Sequence, residues 1–384
     1  MTLYMMQMGM SKSQVGFVTS LGLITNIFFA LISAFVTDKI GRKKASLIFD
    51  IIGWGIPLTI YAFAQNIYYF VAGVIIASFG YVTMNSWQCL MIEDSDPGTR
   101  IHIYNFLQIA SILGGFFAPL GGVLINKLTL VPAMRIMFIF AVISMMALFI
   151  IRHFHVDETK TGVIKIQEMK GVKIGGVLRS YRKILKRITT DHLLIIAILL
   201  RALNFMQLTV KNTFLAVLVT ERLGFPTETM AVFHTLSAIV MLVILLFVTP
   251  ALSRITKHWP IMLGIIFHIV ATVILLLSPA RQSMFLLILS AFFIALGSAI
   301  ATPRIDSLAA NTILNEERSV VNAIISIILL LISAPFGYIG GLLSEIDTRL
   351  PFVLIFVDLV AILVLLAVAR KVEGRKSIAN ISNT

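Results

Sequence analysis

The sequence is poor in charge and carries a single cysteine. Only 13% of its 384 residues are Asp, Glu, Lys or Arg, about half the share found in soluble domains. So few charges cannot cover a water-exposed surface, which excludes a soluble enzyme and a disordered chain. Cys89 has no second cysteine with which to form a disulfide. No Cys/His cluster has metal-ligand spacing, and no G-x-x-x-x-G-K-[ST] loop is present to cradle ATP phosphates. No cofactor is therefore expected. Residues 1–10, MTLYMMQMGM, lack the basic leader and small-residue cleavage site of a secretory signal.

Apolar length is what the chain has in quantity. Hydrophobic residues make up 58% of it, and its mean hydropathy is +0.97. Crossing a bilayer takes about 20 mostly apolar residues. Eleven runs meet that requirement, at 14–36, 45–63, 67–92, 102–126, 133–151, 190–219, 229–250, 260–278, 283–308, 319–343 and 351–369. Lipid offers no hydrogen bonds, so each run must satisfy its own backbone as a helix. The alternating segments of a β-barrel, roughly 10 residues each, are not visible. The expected fold class is all-α and polytopic.

The net charge of +13 is a topology signal. Of the 31 basic residues, 22 fall in one alternate set of loops, including Lys39, Arg42, Lys43, Lys44, Arg100 and the stretch 152–187, while six fall in the other set. The positive-inside rule places the richer set, and the C-terminus, in the cytoplasm of a cell (plasma) membrane protein. That asymmetry accounts for the charge without nucleic acid as a partner. The longest loop, 152–189, divides the chain into an N-terminal bundle (1–151) and a C-terminal bundle (190–369), followed by a tail (370–384). Within the loop, Val177, Tyr181, Ile184, Leu185 and Ile188 share one helical face and Arg179, Arg182, Lys183, Lys186 and Arg187 the other. This pattern suits a helix on the anionic inner leaflet and equally a solvated basic linker.

The two halves contain related turns. IEDSDPGTRIHIYNFLQ followed by GGFFAPLGGVL parallels ANTILNEERSVVNAIIS followed by SAPFGYIGGLL. Parallel repeats about an axis along the membrane normal are a transporter architecture. The loop AFVTDKIGRKK (34–44) resembles the G-x-x-x-D-R-x-G-R-R/K signature of the major facilitator superfamily. Asp38, Lys39, Gly41, Arg42 and Lys43 fit it, and Ala34 replaces the usual Gly. The resemblance implies twelve spans in two halves that rock about a central cavity. It also implies that Asp38, Gly41, Arg42 and Lys43 latch one conformation. The chain supplies eleven runs and a remnant at 1–9, so most of the first helix is expected to be missing.

The seventh span carries the most unusual residues. Arg201, Asn204, Gln207, Lys211 and Asn212 cover about 140° of one helix face. Arg201 lies ~16 Å deep at 1.5 Å per residue, where an ionised side chain facing lipid is costly. Arg201 and Lys211 are thus candidates to attract an anionic solute group. Structural pairing of Arg201 and snorkelling of Lys211 are the alternatives. Asn85 and Gln88, beside Trp87, are either cavity-wall or helix-packing residues. Gly115, Pro119 and Gly122, like Pro335 and Gly341, permit close packing or bending. His234 and His268 lie within spans, where a hydrogen-bonded neutral ring is the simpler expectation than a proton relay.

These features point to secondary transport of a small organic solute by alternating access, with a lean toward an anionic or amphipathic one. Protons are a candidate coupling ion, inner-leaflet lipids are partners, and a monomer is expected. A drug/proton antiporter is one alternative, weakened because Ile76 stands four residues before Gly80, where proton-driven members carry Arg. A multispan membrane enzyme, hinted at only by Glu93, Asp94, Asp96 and His102, and a non-transporting sensor are the others.

Overall fold

The computed structural model describes residues 1–95, 117–172, 192–248, 258–279, 283–311 and 318–381, with isolated positions 103, 106, 107, 110, 113, 114 and 175. Among these residues there is no strand. Nine helical stretches are long and apolar enough to cross a membrane, and Thr229–Val243 is a shorter apolar helix. They coincide with the expected runs; parts of the 102–126 run, and residues 249–250 at the end of the 229–250 run, lie outside the described residues. So do the stretch 176–190, with most of the basic amphipathic pattern, and Gly115, Asp96 and His102.

By contacts, residues 1–111, 123–186 and 314–345 form a first unit, and residues 112–122, 187–313 and 346–384 a second. The tenth apolar run, 319–343, groups by contacts with the first unit.

In the first unit, α1 (Thr2–Gln7) is a short helix whose Tyr4 is fully buried. The Tyr4 hydroxyl donates to the Tyr61 carbonyl at 2.9 Å, and its ring meets Phe70 edge-on with centroids 5.7 Å apart. α1 is thus anchored in an aromatic cluster. Ser11 then caps α2 (Lys12–Ile40): its hydroxyl accepts from the Gln14 N–H at 3.2 Å while the Gln14 side chain accepts from the Ser11 N–H at 2.9 Å, a reciprocal capping box.

The next run is continuous but not uniform. It consists of α3 (Arg42–Asp50), a π-helical turn (Ile51–Gly55) and α4 (Ile56–Ala62). The 67–92 run divides into α5 (Ile67–Ala77) and α6 (Gly80–Ile92), with a turn at Ser78 and Phe79. Both irregularities meet at one point. A Cβ on Gly53 would lie 2.7 Å from the Gly80 Cα, so the two backbones approach too closely for any side chain. Ser78 Oγ donates to the Val74 carbonyl at 3.0 Å and reaches Thr25 of α2, satisfying polar groups at the break.

After α7 (Ala118–Leu128) come α8 (Leu130–His155) and α9 (Lys160–Glu168). Pro119 is the second residue of α7, where its missing N–H breaks no helical hydrogen bond. In the second unit, α10 (His192–Val217) continues into a π turn (Leu218–Arg222), and α11 (Thr229–Val243) into another (Ile244–Val248). They are followed by α12 (His258–Leu277) and α13 (Met284–Asn311). The chain ends in α14 (Arg318–Ile346), most of it in the first unit, and α15 (Leu350–Ile381) in the second.

Small residues set the closest approaches. A Cβ on Gly341 would lie 2.9 Å from the Ser13 Cα, and one on Gly16 would lie 3.0 Å from the Gly341 Cα. Ser20 Oγ accepts from the Tyr338 N–H at 2.7 Å and donates to the Ala334 carbonyl, next to Pro335 inside α14. This glycine–serine seam ties α14 to α2 and explains the contact grouping. In the second unit, a Cβ on Gly122 would sit 3.0 Å from the Ala231 Cβ, and one on Gly264 2.8 Å from the Ala301 Cβ. Helices in lipid gain no hydrophobic driving force from meeting, so such close backbone packing substitutes for it.

Gly16→Val should therefore destabilise the protein by about 1–3 kcal/mol through overpacking, seen as a lower melting temperature in detergent. Gly114→Ala, whose added methyl meets nothing within 4 Å, should melt with the wild type.

Candidate functional site

The signature loop folds into a buried charge cluster. Gly41, at φ +89°, makes the turn between α2 and α3. A side chain there would be strained and would also strike Glu158 Oε2 at 2.6 Å and Ile166 Cδ1 at 2.9 Å. Arg42, the next residue, has its side chain only 3% exposed. Its Nη2 lies 2.9 Å from Asp38 Oδ1 and 3.0 Å from Glu93 Oε1, and its Nε donates to Glu93 Oε2 at 3.1 Å. One guanidinium thus binds two carboxylates, one from its own turn and one from the end of α6. The fork geometry of arginine makes this possible; a lysine could not reproduce it.

A second layer comes from the segment before α9. Glu158 accepts the backbone N–H groups of Arg42 and Lys43, both at 2.9 Å. These belong to the first turn of α3, where unpaired N–H donors and the helix dipole favour an anion. Thr159 caps α9 through the Gly162 N–H at 2.9 Å and donates its hydroxyl to Glu93 at 2.5 Å. The Lys160 N–H donates to Asp94 at 3.2 Å. Lys43 sits 3.9 Å from the exposed Asp157. Glu93 and Asp94, the only described residues of the hinted enzymatic group, are therefore committed to this cluster.

A neighbouring pair resolves the role of Asp50. It binds Arg152 of α8, which also reaches Ser46 and lies 4.8 Å above the Trp87 ring. Trp87 is thus occupied by an arginine. Asn85 is half-buried and Gln88 exposed on α6.

In the second unit, α10 places Asn204 (3% exposed), Gln207 (1%) and Lys211 (7%) on one buried stripe. The Gln207 amide donates to Asn204 Oδ1 at 3.2 Å, and Gln207 Oε1 is buried without a hydrogen-bond partner. Arg201 is half-buried and Asn212 exposed, so the five-residue arc resolves into three inward residues and two at its margins. His268 of α12 is also buried. That ring fills the space beside Gly297, with Ser298 Oγ 3.4 Å from Nε2. Arg304 donates to the Ile300 carbonyl of its own helix at 2.9 Å.

The first unit also holds an open groove of about 900 Å³ between α2 and α14. Its walls are apolar, with Phe17, Ile24, Leu331 and Ile339 among them, and Ser13 and Gln14 lie at one end. Among the described residues no group of three or more His, Cys, Asp or Glu could hold a metal.

Sequence reasoning missed Glu93 and Glu158 as partners of the signature loop. They lie 51 and 116 residues from Arg42, and no spacing signals such a pairing. The one local clue was Thr159 preceding a helical stretch.

The sequence profile of the Major Facilitator Superfamily matches residues 1–337 and 202–383. No curated protein sequence matches significantly. Among solved structures, the nucleoside transporter NupG is similar at 16% identity, with a TM-score of 0.67 over 96% of this chain and 93% of that one. A D-xylose–proton symporter is similar at 16% identity and TM-score 0.70, over 92% and 87%. The peptide transporter POT is similar at 13% identity and TM-score 0.68, over 96% and 87%.

Glu158→Ala removes the acceptor for two N-terminal amides and should cost about 0.5–2 kcal/mol, as helix caps do. Limited proteolysis should then cut the 157–172 stretch faster, with Glu158→Gln intermediate. Arg42→Ala strands two carboxylates and should cost more, about 3–5 kcal/mol, measured by thermal melting.

Proposed function

The chain belongs to the Major Facilitator Superfamily, and we propose that it moves a small polar organic solute bearing an anionic group across the cell membrane by alternating access. It is an integral, multi-pass membrane protein and a transporter rather than an enzyme. The observation that carries the finer reading is the buried polar stripe of α10. Asn204, Gln207 and Lys211 are placed inside a lipid-embedded bundle, where polar and ionisable groups are costly and are commonly retained for transport. Gln207 Oε1 is an unused acceptor, and Lys211 supplies the positive charge. Arg201, at the margin of the stripe, adds a second. Asn85 and Gln88 of α6 are proposed as further polar contacts.

The Asp38–Arg42–Glu93 cluster, with Gly41 as its turn and Lys43 beside it, is proposed as the latch that holds one conformation. The basic loops and the C-terminus are assigned to the cytoplasm, where they meet anionic lipids. Protons are proposed as the coupling ion, and a monomer as the working form. The similar D-xylose symporter is proton-coupled by its description; the nucleoside and peptide transporters show how varied the solutes of this fold are. The groove between α2 and α14 favours a second reading, efflux of an amphipathic compound, because its wall is largely apolar, with Ser13 and Gln14 at one end.

The test is uptake by the purified full chain in proteoliposomes with acid outside, with acid inside and without a pH gradient. The panel holds a pentose, a nucleoside, a dipeptide, a monocarboxylate and a lipophilic cation. The proposal expects an anionic solute to accumulate. Lys211→Ala should then lower its apparent affinity roughly 10–100-fold, the loss of one charge-assisted hydrogen bond. Accumulation of the cation alone would support the efflux reading instead.

A further inference from the structure

The acidic residues buried in this fold are not equivalent. Asp50 is bound by Arg152, and Glu93 is bound by Arg42 and Thr159. Asp358, in α15, is 4% exposed, and neither of its carboxylate oxygens has a hydrogen-bond partner. An ionised carboxylate stripped of water and given no donor is among the least stable arrangements a protein interior can hold. The neutral acid is far cheaper to bury.

Its surroundings narrow the choice further. Asp358 lies about 12 Å along α15 from Leu350 at 1.5 Å per residue. α15 packs against α10 and α12. The titratable groups of α10 are His192, Arg201 and Lys211, and those of α12 are His258 and His268. His192 and His258 open their helices at the opposite end from the start of α15, and Arg201 lies about 15 Å from Lys211 along α10. Lys211 and His268 therefore remain as the groups near the depth of Asp358. Among the described residues no cluster of three or more His, Cys, Asp or Glu exists to bind a metal ion, and one carboxyl makes a poor cation cage.

We propose that Asp358 is a proton-carrying site: its carboxyl binds one proton in this closed bundle and returns it to water when the bundle opens. The step is the reversible addition of H⁺ to one carboxylate oxygen, with water as source and sink. Its use in transport rests on the function proposed above. Lys211 lies at a similar depth, and a neutral Asp358 adds no negative charge to the layer in which Lys211 would meet an anionic solute. Proton and anion would then travel together.

Infrared titration of the full chain in lipid nanodiscs tests the site without any solute. The wild type should show a carboxylic-acid C=O band at neutral pH that shifts in D₂O and disappears as pH rises. Asp358→Asn, with unchanged melting, should lack it. Identical wild-type and variant spectra would overturn the proposal. Should the variant fail to fold, the wild type suffices. Dicyclohexylcarbodiimide, which reacts with protonated buried carboxyls, should label Asp358, with labelling falling as pH rises and Asp50 unlabelled, read by peptide mass spectrometry. Absent or pH-independent labelling of Asp358 would equally overturn it. If the band and the label appear while no solute in the panel moves, the transport reading has failed and the proton site stands.

Discussion

A hydrocarbon surround donates and accepts no hydrogen bonds, and most of this structure follows from that single constraint. The chain must close its backbone on itself, so the apolar runs are helices. At the turn at Ser78 the Val74 carbonyl is taken by the Ser78 hydroxyl, which also reaches Thr25 of α2. Charged side chains obey the same rule. Arg42 is buried, and Arg152 half-buried, opposite carboxylates that face them.

Cohesion between helices needs a different source. Lipid tails are as apolar as leucine, so burying one helix against another gains little from water. Gly16 with Gly341, Gly53 with Gly80 and Gly264 with Ala301 let backbones approach until dispersion and single hydroxyl bonds hold them. The same seam draws α14 toward α2 in the contact pattern, although some 300 residues of sequence separate them.

Much of the architecture was readable in the sequence, because crossing a bilayer imposes a length and a composition that leave a strong linear trace. The runs 14–36 and 351–369 reappear as α2 and α15 almost unchanged. Gly41 was readable too, since a tight turn before two basic residues has a recognisable pattern. The partners of that turn were not. Glu93 and Glu158 look like ordinary loop acids until the fold brings them to Arg42 and to the start of α3. Periodicity placed Asn204, Gln207 and Lys211 on one face correctly but could not show that Asn212 lies outside it. The break at Ser78 was hidden because apolar residues continue on both sides of it.

Because the Arg42 side chain is 3% exposed and that of Glu93 15%, dissolved ions have little access to the pair they form. Electrolyte weakens exposed pairs such as Lys165 with Glu168 but leaves a shielded one nearly intact. Separating the α2–α3 turn from Glu93 therefore requires solvent to arrive first and hydrate the guanidinium. Wetting, rather than ionic strength, governs how readily this corner of the molecule comes apart.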